Sequence, residues 1–389
     1  MMPLPFRWLQ GSKFNCYTLN AKFKKYRLLS LLLLSAIPQN STNAGNGDPK
    51  PAYYTADDFE KVKKYDTHVH IYTHNEKLIT EAKKDNFHLL DINGYMYPGA
   101  PPIPEQQDLA VGHVKDFPKQ IDFAATISVK NFNDPNWQQE TISELQRSFD
   151  KGAVGVKVWK NIGMELKDQG GHFVMIDNPK FDPVFDFIAK NKITLLSHQG
   201  EPKNCWLPVE QMTVEGDKRY YTKNPQYHMY LHPEYPTYEE QMNARDNMLK
   251  KHPDLKVVSV HLASMEWSIE EIGKRLDKYP NLSVDMAARI PHLQNRAVKD
   301  WQAVHDFFIK YQDRILYGSD MTINKESDPA TIEQNARNTW LRDWKFFVTN
   351  EKLTNSNKAE YNGLKLPREV IDKIYCKNAE KWIPGFIKN

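Results

Sequence analysis

Tyr65-Asp66-Thr67-His68-Val69-His70-Ile71 reads as a short strand that carries two histidines. Apolar and β-branched residues surround the imidazoles, and alternate side chains of a strand face the same way. The spacing therefore predicts His68 and His70 on one face. Two imidazoles on a rigid strand make half of a metal site, and the other ligands must come from the ends of later strands.

Short apolar segments recur along the rest of the chain. Strands are expected at residues 64–71, 87–92, 122–129, 153–159, 193–198, 255–261, 282–287 and 314–317. Helical segments are expected at 137–150, 181–191, 238–251, 269–278, 298–311, 330–349 and 367–382. Such alternation implies parallel strands joined by right-handed crossovers. Eight strands in one domain predict an α/β protein with a closed (β/α)8 TIM barrel. A long insertion, residues 199–237, follows strand five and is rich in Tyr, Trp and His. Loops of this length are often functional, and this aromatic content argues against disorder. It is expected either to form a lid over the site or to stand as a surface subdomain.

In barrels of this kind the site lies at the C-terminal strand ends. Strand one ends in His68 and His70, strand five in Ser197-His198, strand six in Val260-His261, and strand eight in Tyr317-Gly318-Ser319-Asp320. A lone strand-end histidine is more often structural. The set at corresponding positions points instead to a divalent metal, with imidazole and carboxylate suiting Zn²⁺ first and Mn²⁺ or Fe²⁺ as alternatives. Lys157 lies inside strand four, between Val156 and Val158.

This ordered set, His68-x-His70, His198, His261 and Gly318-Ser319-Asp320, resembles the amidohydrolase superfamily, and within it the amidohydrolase-related (type 2) group of metal-dependent hydrolases. The resemblance spans about residues 65–382. It implies one metal held by His68, His70, His198 and Asp320. It also implies Asp320 as a general base, with His261 orienting the hydroxide or polarising the attacked carbonyl. Water on such a metal can have a pKa near ~7. In two-metal members of the superfamily a fourth-strand lysine is carboxylated. Lys157 in that role would bridge two metals, with His261 as a ligand of the second.

The expected reaction is hydrolysis of an ester, lactone or amide in a small organic substrate by a metal-bound hydroxide. Non-oxidative decarboxylation on the same scaffold, or a non-catalytic ligand-binding barrel, are the competing readings. Arg289 at the end of strand seven, Arg245, and Trp206 and Tyr221 of the insertion are candidate substrate-binding residues. A guanidinium there would suit a carboxylate or a lactone acid, or else an ion pair bracing the barrel rim.

Composition narrows the classes further. A net charge of +3 over 389 residues, with no basic stripe, gives no reason to expect a nucleic-acid partner. Cys16, Cys205 and Cys376 lie far apart, with neither a CxxC pair nor a disulfide framework. Residues 22–27 are basic, 28–37 apolar, and 39–45 small and polar. That order predicts a secretory signal and export to the periplasm or beyond, with residues 1–50 as signal and linker and 51–389 as the barrel domain. An uncleaved anchor is the alternative, although the apolar run is short for a span. The mature chain is expected to lack a stable membrane span and could form a homo-oligomer.

Overall fold

Nine parallel strands follow one another around a single sheet of the computed structural model, which describes residues 51–94 and 100–386. They are β1 (Lys64–Ile71), β2 (Phe87–Ile92), β3 (Ile121–Thr126), β4 (Gly155–Val158), β5 (Thr194–Ser197), β6 (Val257–Ser259), β7 (Leu282–Asp285), β8 (Ile315–Leu316) and β9 (Met321–Ile323). Each pairs in parallel with its predecessor up to β8, and β9 pairs with β1. The last two are pieces of one barrel position. β8 bonds to β7, Thr67 N donates to Tyr317 O at 3.0 Å, and Asp320 N donates to His68 O at 2.8 Å, so the segment closes the ring. This is the expected α/β barrel.

Strand parity sorts the side chains. Leu89, Phe123, Val156, Leu195, Val257, Val284 and Ile315 face the helices and join the large outer core. Leu90, Ala124, Leu196, Val258 and Leu316 face inward, where Trp382, Ile383 and Phe386 from the end of the chain close one mouth. Tyr65 belongs to that inner cluster, three residues before His68. Simple alternation would then turn His68 outward. The register of β1 against β2 slips between Asp66 and Val69, and this bulge brings His68 and His70 back into the barrel. Their spacing puts the two histidines on one face, and the bulge, which the spacing does not reveal, makes that face the inner one.

Other elements also depart from expectation. The sixth strand stops at Ser259 because His261, Leu262, Ala263 and Ser264 all take left-handed backbone, with φ of 58°, 53°, 58° and 51°. The helical segment expected at 298–311 is Trp301–Lys310, capped where Asp300 accepts from Ala303 N at 3.1 Å, and a further helix, Ile290–Lys299, precedes it. Residues 352–354 and 360–362 form a small antiparallel hairpin, a feature the apolar pattern did not signal. The insertion folds around its own core of Cys205, Met212, Tyr221 and Met229, joined by Met164. The export segment lies outside the described residues. Among the described residues, no helix is long and apolar enough to cross a membrane.

Candidate metal centre

The strand ends bring the candidate ligands together at the C-terminal mouth. Asp320 Oδ1 lies 3.4 Å from His68 Nε2 and 3.5 Å from His70 Nε2. Ligand atoms of His68, His70 and Asp320 all fall within 4.8 Å of one another. The His261 ring centroid is 4.8 Å from that of His68 and 4.2 Å from that of His198. Gly318 permits this closeness, since a Cβ there would sit 2.9 Å from His68 Cβ. Asp320 itself takes a left-handed φ of 68°, a conformation that Asp tolerates better than most residues.

Hydrogen bonds fix which ring nitrogen faces the centre. His68 Nδ1 lies 2.7 Å from Asp285 Oδ2, His70 Nδ1 lies 2.6 Å from Ile92 O, and His261 Nδ1 lies 2.9 Å from Ala287 O. Each of these oxygens accepts from Nδ1–H, which places the lone pair of the neutral ring on Nε2. Burial first, and neighbouring positive groups after it, hold His68, His198 and His261 well below the ordinary imidazole value. They are neutral at pH 7, the state a metal requires. His198 Nε2 is buried with no hydrogen-bond partner. A buried ring nitrogen without a partner among the described residues, beside the other imidazoles, is a group that a cation would satisfy. Burial raises the Asp320 carboxyl, and it is held well below the usual carboxylate range only by protons that His261, His70 and His68 would carry.

Lys157 sits fully inside, with Nζ 3.0 Å from His68 Nε2, and burial pushes its ammonium down to about 8. Asp285 lay outside the site residues read from sequence. It accepts from His261 N at 2.7 Å and Ala287 N at 3.1 Å while holding His68, so one carboxylate positions two of the histidines. Burial raises its carboxyl, opposed by His261 and Lys157.

The expected substrate-binding residues divide. Arg289 is buried beside the histidines, whose pKa values its charge depresses, and Nη2 lies 4.0 Å from Glu201 Oε2. Arg245 is placed elsewhere. Its Nη1 donates to Ala263 O at 2.5 Å and its Nη2 to Asp246 at 2.8 Å. It braces the left-handed turn beneath His261, aided by Tyr238 Oη on Ser264 O at 2.7 Å. Four non-glycine residues with positive φ are costly, roughly 1–2 kcal/mol each, and such a turn persists only when its surroundings hold it. Tyr221 lies within the insertion's own core, and Trp206 packs on Tyr238 with ring centroids 5.5 Å apart. Neither lines the large cavity, of about 940 Å³, above β2 to β5; Tyr220, Tyr227, Met229, Trp159 and Lys160 do.

A parallel barrel with histidines and a carboxylate gathered at its C-terminal mouth defines the class of metal-centred barrel proteins. The Amidohydrolase family model matches residues 129–384, and the chain belongs to that family. A search of curated proteins found no match. Similar solved structures include 2,6-dihydroxybenzoate decarboxylase from Rhizobium, at 15% identity and TM-score 0.46, covering 82% of this chain and 98% of that one. The 4-oxalomesaconate hydratase of Rhodopseudomonas palustris shows 14% identity and TM-score 0.45, covering 83% and 96%. A dihydroxybenzoic acid decarboxylase from Polaromonas with bound manganese shows 15% identity and TM-score 0.40, covering 72% and 97%.

Proposed function

We propose that the chain is an exported, metal-dependent hydrolase of esters, lactones or amides in small organic substrates. The observation that carries this reading is the inward set of imidazole lone pairs around Asp320, with His198 Nε2 buried and unpartnered. His68, His70, His198 and Asp320 would hold one divalent ion, with Zn²⁺ suited by three imidazoles and one carboxylate. When bound, such an ion supplies Lewis acidity and lowers the pKa of water toward neutrality.

The chain's own groups divide the remaining work. Asp320, as a carboxylate, can accept a proton at an oxygen and return it to the leaving group. His261, with its Nδ1 proton committed to Ala287 O, offers an acceptor at Nε2 and so orients a water. That tautomer does not suit it to polarise a carbonyl. Lys157, against His68, supports either a charge-balancing role beside one metal or, if carboxylated, a bridge between two.

Metal stoichiometry on purified protein tests the reading first. One equivalent, with acid released from a lactone and ester panel, supports it. Release of CO₂ from aromatic acids without hydrolysis would assign decarboxylation instead, and absence of both metal and turnover would leave a binding barrel.

A further inference from the structure

Three charged side chains meet beside the centre without being used by the chemistry above. Lys160 follows β4, Glu201 follows β5 and Arg289 follows β7, so all three stand at C-terminal strand ends. Lys160 Nζ contacts Glu201 Oε1, and both residues line the cavity. The other Glu201 oxygen stops 4.0 Å from Arg289 Nη2, beyond hydrogen-bond length. Arg289 Nε is buried and has no partner among the described residues. The other carboxylate whose charge Arg289 influences, Asp217, is committed to His292 Nε2 at 3.0 Å and Asn204 Nδ2 at 2.8 Å.

An arginine is costly to bury with an idle donor, because no protein acceptor among the described residues replaces the hydrogen bond it made in the unfolded chain. Its Nε and Nη2 form one planar edge, whose spacing matches the two oxygens of a carboxylate. Glu201 is near enough to fill that edge, yet Lys160 draws it aside. We propose that the Nε–Nη2 edge of Arg289 is a carboxylate-binding seat, kept open by the Lys160–Glu201 pair. The substrate would then be an organic acid, its body against Trp159, Tyr227 and Met229 in the cavity and its anionic end reaching past the Lys160–Glu201 pair in the cavity wall to Arg289. The proposal rests on the previous reading only in taking the chain to act on a small organic substrate.

Lys160 and Glu201 act oppositely in this arrangement. Glu201 repels an incoming anion and competes for Arg289, whereas Lys160 restrains the competitor. Titration of the full chain with benzoate, and with benzamide as the neutral isostere, reads the seat by calorimetry. Benzoate should bind better than benzamide. Glu201→Gln should tighten benzoate several-fold, and Arg289→Lys should weaken it by roughly tenfold, since an ammonium cannot offer the planar fork. Lys160→Gln should also weaken it, by freeing Glu201 to close on Arg289. The double variant Lys160→Gln/Glu201→Gln should bind benzoate as tightly as Glu201→Gln alone, because Lys160 has no competitor left to restrain; two opposite charge changes that merely added would return it to wild-type affinity instead.

No preference for benzoate over benzamide, or a double variant no tighter than wild type, overturns the seat. Repeating the titration after chelation separates the two readings. Arginine-dependent binding that survives metal removal supports the seat whatever the metal chemistry. Benzoate binding that needs the metal and ignores Arg289→Lys overturns the seat and leaves the hydrolase reading standing.

Discussion

Asp285→Asn and Asp285→Ala should fail in different ways. The wild-type carboxylate accepts from His261 N and Ala287 N through Oδ1 and faces His68 Nδ1 through Oδ2. Asparagine can keep Oδ1 on both amides. Its NH₂ then replaces Oδ2 opposite His68, and a donor there forces the imidazole to carry its proton on Nε2. The lone pair that faced Asp320 is lost. Removing such an outer partner typically lowers metal affinity 10–100-fold, or about 1.4–2.7 kcal/mol. The fold should survive. Alanine removes both acceptors, stranding two buried N–H groups at about 1–3 kcal/mol each, one of them at the start of the left-handed turn. Asp285→Ala should therefore lose about 2–6 kcal/mol of stability as well as metal. Competition against a chromophoric chelator gives affinity, and denaturant unfolding of the apo protein gives stability. Wild-type metal affinity in Asp285→Asn would refute the tautomer reasoning, and equal apo stability of the two variants would refute the account of the amides.

His68→Ala and Asp320→Ala should each abolish metal content and turnover, and full occupancy measured by elemental analysis in either variant would remove that residue from the ligand set. Arg245→Met keeps much of the buried stem but orphans Ala263 O, so unfolding should show a loss of about 1–3 kcal/mol. Metal content should stay near wild type in that variant while turnover falls through displacement of His261. Asp91 is buried, with Oδ1 accepting from Ile71 N at 2.9 Å, Oδ2 unpartnered, and its carboxyl pushed up by burial to about 7. A raised acid pKa means that the folded state binds the proton more tightly than the unfolded one. Its contribution is therefore most favourable below the unfolded value near 4 and is lost as pH rises to about 7. Asp91→Asn should then gain on wild type between pH 5 and 8, by at most about 4 kcal/mol; thermal unfolding at both pH values checks this, and a pH-independent difference would count against it.

The barrel and the convergence of its histidines were legible because both follow from parity and from strand order. A buried strand announces itself through apolar residues, and a polar side chain at its C-terminal end has one place to go. The same rule could have found Asp285. In Leu282-Ser283-Val284-Asp285, Val284 faces the helices, so Asp285 must face the barrel interior like the histidines. What parity cannot supply is a break in itself. The bulge in β1 and the left-handed run from His261 to Ser264 are tied to residues far along the chain, Ser319 and Trp340 through Asp66 and Asp285 through His261 N. Asp66 Oδ1 accepts from Ser319 N at 2.9 Å, and its Oδ2 accepts from Trp340 Nε1 at 2.9 Å. Arg245 shows the same limit from the other side. A buried guanidinium near a site can serve a ligand or a strained carbonyl, and only the position of Ala263 O decides between them. Arg289 differs from it in one respect that matters for chemistry: its Nε has no acceptor among the described residues, which leaves that bond for something else to make.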